Sequence, residues 1–254
     1  MSLKRIMISF KMTLLMLLRR RIVLILIAVI PVVFLMIVGL TSTERPLPFR
    51  LASLSEETII TVSEKGINYV FFAVSSVGFL LSFLAMNLIQ KDKDTTRRLI
   101  ICGYSPNEIV IAKLATAFVF MLLIATYVGC IMNALYNVNN LFLFLVSLVS
   151  IGYVYGCYGL LVGSLIKREL EGILMIVLLV NIDVGWLQNP LFYEEAQNQL
   201  IIRYLPAYYP SQSSMISAFT EYSIGHSIAL GLLYGSIFLI LSLIIYYRTM
   251  KVNK

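Results

Sequence analysis

Six long apolar stretches alternate with short polar segments along the chain. Each stretch has the length and the low charge of a helix that crosses a lipid bilayer. The predicted spans are 22–40, 68–89, 107–135, 141–166, 170–187 and 226–247. No polar segment between them is long enough to form a soluble domain. We therefore predict one transmembrane domain, 1–254, in an all-α polytopic membrane protein.

An amphipathic segment, 3–19, precedes the first span. Lys4, Arg5 and Lys11 interrupt its apolar residues at helical spacing. No small-residue cleavage site follows the first span, and the basic triplet 19–21 lies between two apolar stretches, which argues against a cleaved signal peptide. We therefore predict an interfacial helix on the cytoplasmic surface of the membrane.

Two longer polar segments are predicted on the opposite side of the membrane. Segment 41–67 carries prolines and four glutamates, and it is predicted as an external loop with a short helix around 55–65. Segment 188–224 mixes prolines with aromatic residues, and it is predicted as an extracellular or re-entrant segment. Both segments lie outside the cell if the chain starts and ends in the cytoplasm.

The composition is that of a membrane protein. Hydrophobic residues make up 59% of the chain and charged residues 13%, against ~45–50% and ~25% in soluble domains. The net charge of +7 does not indicate a nucleic-acid partner, because sixteen of the 20 basic residues fall in segments predicted to be internal. This bias places both termini in the cytoplasm. The three cysteines have neither metal-ligand spacing nor a disulfide pattern.

A charged segment between the second and third spans, 90–106, has a more specific pattern. A short helix is predicted before Gly103, and Ser105, Pro106 and Glu108 form a capping-box start for the next helix. Two rigid helices joined by a tight turn can pass force from a soluble partner to the membrane part. The alternative is an ordinary solvated loop. The residues predicted to couple to the partner are Thr96, Arg97, Arg98, Leu99, Ile100, Ile101, Gly103 and Tyr104.

The residues of this segment resemble the loop between the second and third helices of ABC-2-type transporter permeases. The shared pattern, T-x-R-x-L…G-x-S-x-x-E-I…K, falls on Thr96, Arg98, Leu99, Gly103, Ser105, Glu108, Ile109 and Lys113. Lys93, Asp94 and Thr95 stand where the family usually has an acidic residue and a glycine. The resemblance implies an ABC-2, type V exporter-like permease fold in a bacterial cytoplasmic membrane, with 90–106 as a cytoplasmic coupling loop.

The resemblance also implies partners. A cytoplasmic ABC ATPase in two copies would dock on the coupling loop, and a second copy of the permease would complete a homodimer. The sequence has no G-x-x-x-x-G-K-[ST] phosphate loop, so ATP and Mg²⁺ are expected on the ATPase and no cofactor is expected on this chain. The chain itself is therefore not predicted to be an enzyme.

Small and polar residues within the spans are candidates for a translocation path. Four glycines of the fourth span are spaced to share a helix face, which permits either a shifting helix or ordinary close packing. An aspartate in the fifth span is either part of the path or a cap at a helix break. These candidates, with one tyrosine of the fourth span, are Gly152, Gly156, Gly159, Gly163, Tyr155 and Asp183.

A cluster of prolines and tyrosines precedes the last span. It consists of Pro206, Tyr208, Tyr209 and Pro210. The cluster resembles the short re-entrant helices of ABC-2-type permeases, which help to close the outer end of the path, so the resemblance implies an extracellular gate. The alternative is an aromatic belt at the membrane interface.

The predicted path is apolar and aromatic with few fixed charges, which favours an amphipathic substrate over a sugar or an ion. The compact layout resembles exporters of small cytolytic or antimicrobial peptides, including the phenol-soluble-modulin type. A bacteriocin or antibiotic self-protection permease, a lipid-like substrate and a lipid-linked glycan stay open. Two other classes also stay open: an ion-coupled carrier, which usually has more intramembrane charge, and an intramembrane enzyme, which needs paired catalytic residues. Membrane lipid is a further expected partner.

Overall fold

The structure is a computed structural model that describes residues 2–51, 58–91, 93–189, 192–193 and 197–252. Its helices are α1 (Leu3–Arg19), α2 (Arg21–Thr41), α3 (Glu64–Gln90), α4 (Lys93–Ile101), α5 (Pro106–Leu135), α6 (Leu141–Leu165), α7 (Glu169–Ile182), α8 (Gln199–Arg203), α9 (Tyr208–Phe219) and α10 (Gly225–Val252). A two-stranded sheet consists of β1 (Pro46–Leu51) and β2 (Thr58–Ser63). Helix α7 continues into a π-helical turn, Asp183–Leu187.

Six of these helices are long and apolar enough to cross a membrane. They are α2, α3, α5, α6, α7 with its π-helical continuation, and α10. The amphipathic helix α1 is separate from α2, because the backbone of Arg20 leaves the helical region with a ψ of 76°. The predicted all-α polytopic class with six spans is therefore confirmed.

Helix α3 lies at the centre of the bundle. In its most apolar stretch 78% of the residues are buried, compared with 17% in α2 and in α10. It packs against α2, α5, α6, α7 and α9. The core therefore follows α3, whereas α2 and α10 turn most of their side chains outward.

A β-hairpin joins α2 to α3 and corrects one prediction. β1 and β2 pair antiparallel, from Pro46 opposite Ser63 to Leu51 opposite Thr58. The predicted helix around 55–65 is wrong over 58–63, where five consecutive β-branched residues favour an extended strand; its residues 55–57 lie outside the described part of the chain.

Helix α3 consequently starts earlier than the predicted span at 68. Ser63 is its N-cap, and the Ser63 hydroxyl accepts a hydrogen bond from the Gly66 amide at 3.2 Å. The Glu64 amide donates to the Arg45 carbonyl at 2.9 Å. The base of the hairpin is thus hydrogen-bonded to the first turn of the central helix.

Contacts between the connecting segments define two ends of the bundle. At the first, called the coupling end, Lys91 after α3 forms a 2.7 Å ion pair with Glu169 at the start of α7. At the second, called the outer end after its predicted external location, the amides of Asn139 and Asn140 donate to carbonyls in the last turn of α9. β1 also packs against α9 at the outer end. Each end is therefore held by contacts between elements distant in sequence.

Candidate functional site

A tight turn at Gly103 joins α4 to α5 at the coupling end. Gly103 has a φ of 87°, a left-handed conformation that a residue with a Cβ rarely adopts. The Gly103 amide donates to the Ile100 carbonyl at 3.0 Å, and the Tyr104 amide donates to the Leu99 carbonyl at 3.1 Å. These bonds satisfy the last carbonyls of α4 and fix the angle at which the chain enters α5.

The predicted coupling residues divide between the surface and the interior. Ile101 is 78% exposed, and Arg98 and Gly103 are exposed beside it. Thr96 is buried and faces the protein. Leu99, Ile100 and Tyr104 are half-buried, and the side chain of Arg97 lies outside the described residues. The structure thus presents a large apolar side chain and a basic one together at the coupling end, and their role in docking stays a prediction.

The predicted capping box at the start of α5 is confirmed. The Glu108 amide donates to the Ser105 hydroxyl at 3.3 Å, and the Ser105 amide donates to a Glu108 carboxylate oxygen at 3.1 Å. Pro106 occupies the first helical position. Helix α5 therefore begins at a well-defined residue, two positions after the Gly103–Tyr104 turn.

Helix α1 contacts this turn directly, which the sequence did not indicate. The second carboxylate oxygen of Glu108 accepts a hydrogen bond from the Ser2 amide at 2.8 Å. Arg5 donates to the Gly103 carbonyl at 2.8 Å, and its guanidinium lies 5.7 Å from the centre of the Tyr104 ring. The interfacial helix and the coupling turn are consequently one connected unit.

Replacement of Arg5 tests this unit. Arg5→Ala removes both the hydrogen bond to Gly103 and the contact with the Tyr104 ring. We expect amide hydrogen exchange across 98–105 to become several-fold faster, because local opening no longer breaks these contacts. Lys4→Ala, which removes a neighbouring exposed cation, is the control and should leave exchange unchanged. Equal exchange in Arg5→Ala and the wild type would show that α1 does not hold the turn.

The four glycines of α6 do not share one environment. A Cβ on Gly159 would lie 2.0 Å from the Ser82 carbonyl oxygen of α3, and one on Gly163 would lie 3.0 Å from the Met86 carbonyl oxygen. Gly152 faces side chains of α3 and α5. At Gly156 a Cβ would meet nothing within 4 Å. Three of the glycines therefore serve close helix packing, and Gly156 lies beside open space.

Asp183 is buried where α7 changes to the π-helical turn. One carboxylate oxygen accepts from the Tyr155 hydroxyl and from the Ala207 amide, the latter at 3.1 Å. The other oxygen accepts from the Gln188 side chain at 3.1 Å. The predicted helix break is thus present, and Asp183 connects α6 and the fifth span to the N-terminus of α9. Tyr155 and Asp183 are both buried within this chain, and their part in a translocation path stays a prediction.

The predicted gate residues lie at and before the first turn of α9. Pro206 lies in the turn before the helix, and Pro210 lies in its first turn. Tyr208 is buried against Tyr193 and Tyr209, with ring centres 6.0 and 5.2 Å apart. Helix α9 packs against α3, α6 and α10 and lies at the outer end. Its position allows it to cover that end, and its gate role stays a prediction.

The described residues contain no group of three or more His, Cys, Asp and Glu side chains that could hold a metal ion. The site's chemistry is instead that of hydrogen bonds at a turn, exposed apolar and basic side chains, and one buried carboxylate. Such an arrangement can transmit movement between segments.

Comparison with known families agrees with this geometry. Residues 37–246 match the family described as ABC-2 family transporter protein. None of the curated proteins compared with the chain matches it. The match covers the hairpin, the coupling turn, the second to fifth spans and all but the end of the last, but only the final five residues of the first span. The chain therefore belongs to the ABC-2 transporter family and is a membrane-spanning permease of an ABC transporter.

Proposed function

We propose that a separate cytosolic ATPase drives this permease through α4 and the Gly103 turn, and that the permease exports an amphipathic substrate. The observation that supports this proposal is the connected unit at the coupling end. In this unit hydrogen bonds join α4, the Gly103 turn, α1 and the capped start of α5. A push on α4 is passed to α5 and α1, because the Gly103 turn that joins α4 to α5 has little conformational freedom. In this proposal the coupling end faces the cytoplasm of a bacterial cell.

The assembly proposed here is a homodimer of permeases with two ATPase subunits. ATP binding would draw the two ATPases together and move the two coupling turns. The buried Asp183 contacts join the fifth span to α9, so a change in the packing of these helices would move α9 at the outer end. This sequence of movements alternates access to a path between the paired permeases.

The cargo proposed is a small amphipathic peptide of the cytolytic or antimicrobial type. Between the terminal turns of the described spans, Lys113 and Asp183 are the charged residues, and both are buried. Walls with so little charge suit a cargo that hides its polar groups in a helix better than a sugar or an ion. The charge-poor spans also support this class over an ion-coupled carrier.

Ile101→Asp tests the coupling proposal. A charge at this exposed apolar position should weaken ATPase docking about 30-fold, the loss of an anchor worth ~2 kcal/mol. Tagged permease would be purified from its own cells, and the copurifying ATPase activity would be measured. The cells should also retain amphipathic peptide that the wild type releases.

The matched control is Ile59→Asp. Ile59 is 68% exposed, close to the value for Ile101, but it lies on β2 of the hairpin. This variant should copurify normal ATPase activity. Undiminished activity with Ile101→Asp, or equal loss in both variants, contradicts docking at α4. If peptide release stays normal although ATPase binding is lost, the proposal that this permease exports the peptide is contradicted.

A further inference from the structure

An apolar groove lies within a single copy of the permease. It has a volume of about 380 Å³ and is bounded by α3, α5, α6 and α10, within the ~300–1,000 Å³ of pockets that bind small molecules. Gly156 leaves space on the α6 side, where a Cβ would meet nothing within 4 Å. The Tyr153 hydroxyl at its edge is already hydrogen-bonded to Ser236 at 3.1 Å. The groove therefore favours an apolar chain.

The groove opens through a surface of exposed apolar side chains on α5. Phe118 and Ile111 line it and are 53% and 38% exposed. Both lie in a helix that spans the membrane. The opening therefore meets the hydrocarbon of the bilayer, where acyl chains are present at high concentration.

A small, mainly apolar cavity, called the Lys113 cavity, continues the groove toward the coupling end. It is lined by Lys113, Ser242 and Tyr246, and Leu114 and Leu160 line both spaces. On each of the four helices the lining residues move toward the coupling end between the groove and this cavity, for example from Leu239 to Tyr246 on α10. Its volume of about 10 Å³ is close to that of one water-sized sphere.

We propose that the groove binds the acyl chain of an anionic bilayer lipid whose oxyanion reaches Lys113. Lys113 is buried and already has a contact within the protein, but an ammonium has three donors, so an oxyanion can be added. A single phosphate or carboxylate oxygen matches the size of the Lys113 cavity. Basic pockets between membrane helices recognise anionic lipid head groups in this way.

The depth of Lys113 matches the orientation of a lipid in one leaflet. Helix α5 has 30 residues and is ~45 Å long at ~1.5 Å per residue, whereas the hydrocarbon core is ~30 Å thick. Lys113 follows Pro106 by ~10 Å along this helix, so it lies near the boundary between head groups and acyl chains. The groove then extends from that boundary toward the bilayer centre, as a lipid chain does.

The binding is tested with photoreactive lipid. Purified permease in nanodiscs is illuminated with phosphatidylglycerol that carries a diazirine in its acyl chain, or with phosphatidylcholine that carries the same chain. We expect adducts on Phe118 and Met121, mapped by mass spectrometry, and at least about tenfold more adduct from the anionic lipid, as charge-assisted hydrogen bonds predict.

Two variants with matched controls separate chain from head group. Gly156→Leu fills the groove and should reduce labelling by both lipids, whereas Gly225→Leu, also at a position with open space, should not. Lys113→Met should remove the preference for the anionic lipid, whereas Lys11→Met on exposed α1 should keep it.

Several results would overturn the proposal. Adducts outside the groove, or equal labelling by both lipids in the wild type, exclude an anionic-lipid site. Disulfide formation between two copies of Phe118→Cys would show that a second permease covers the opening. Competition by an amphipathic peptide but by no lipid would assign the groove to cargo. The labelling experiment needs no ATPase, so its result is independent of the docking test at Ile101. Either proposal can therefore fail while the other is supported.

Discussion

Gly159→Ala is expected to destabilise the permease strongly, although it adds only one methyl group. The added Cβ would lie 2.0 Å from the carbonyl oxygen of Ser82 and 2.7 Å from its carbonyl carbon. These are backbone atoms of the central helix, so they cannot rotate away, and α6 must move from α3. We expect a loss of about 3 kcal/mol in the free energy of unfolding, at the upper end for an overpacked core. Thermal unfolding of the purified permease measures it.

Gly156→Ala is the matched control for this prediction. It lies one turn earlier on the same helix, and its added Cβ meets nothing within 4 Å. Because alanine is a better helix residue than glycine, this change should be neutral or slightly stabilising, by up to ~1 kcal/mol. Equal unfolding temperatures for the two variants would contradict the close contact between α3 and α6.

Asp183→Ala is expected to have a similarly large effect. The substitution leaves three buried donors without their acceptor: the Tyr155 hydroxyl, the Gln188 amide group and the Ala207 amide. At ~1 kcal/mol for each unsatisfied donor, the free energy of unfolding should fall by about 3 kcal/mol. Trypsin cleavage at Arg203, in the helix just before the released turn, should also become faster.

The control for Asp183→Ala is another acid of the same helix. Glu171 lies in the first turn of α7 and pairs with Arg168 at 3.2 Å on the surface. An exposed pair of this kind contributes ~0–1 kcal/mol, so Glu171→Ala should change unfolding little. If Asp183→Ala unfolds like Glu171→Ala, the buried carboxylate does not hold α9 to the fifth span.

The helices of this protein could be predicted from sequence because a bilayer imposes a simple rule on them. A spanning helix must be long and apolar, and its ends carry local signals such as the Ser105–Glu108 capping box, which is present as predicted. The β-hairpin was missed because prolines and glutamates obscured a strand pattern. The uninterrupted run of β-branched residues from Thr58 to Val62 was the signal that could have identified it.

The candidate site was only partly predictable, since its contacts join residues far apart in the chain. The segment with Ile101 and Gly103 was identified, because its pattern is local. Nothing near Arg5 indicates that its guanidinium lies on the Gly103 turn, 98 residues away. The glycines of α6 share one spacing, and periodicity alone could not show that Gly159 touches backbone whereas Gly156 lines a groove.

The unequal burial of the spans has a consequence for biosynthesis. Helix α2, the first span to leave the ribosome, is the most apolar of the six and 17% buried, whereas the more polar α3 is 78% buried. An insertion machine can therefore release α2 into lipid before the other five spans have been made. Helix α3 has to be retained until α6 has been made, since its buried surface packs mainly against α6, whose glycines allow the two backbones to approach closely.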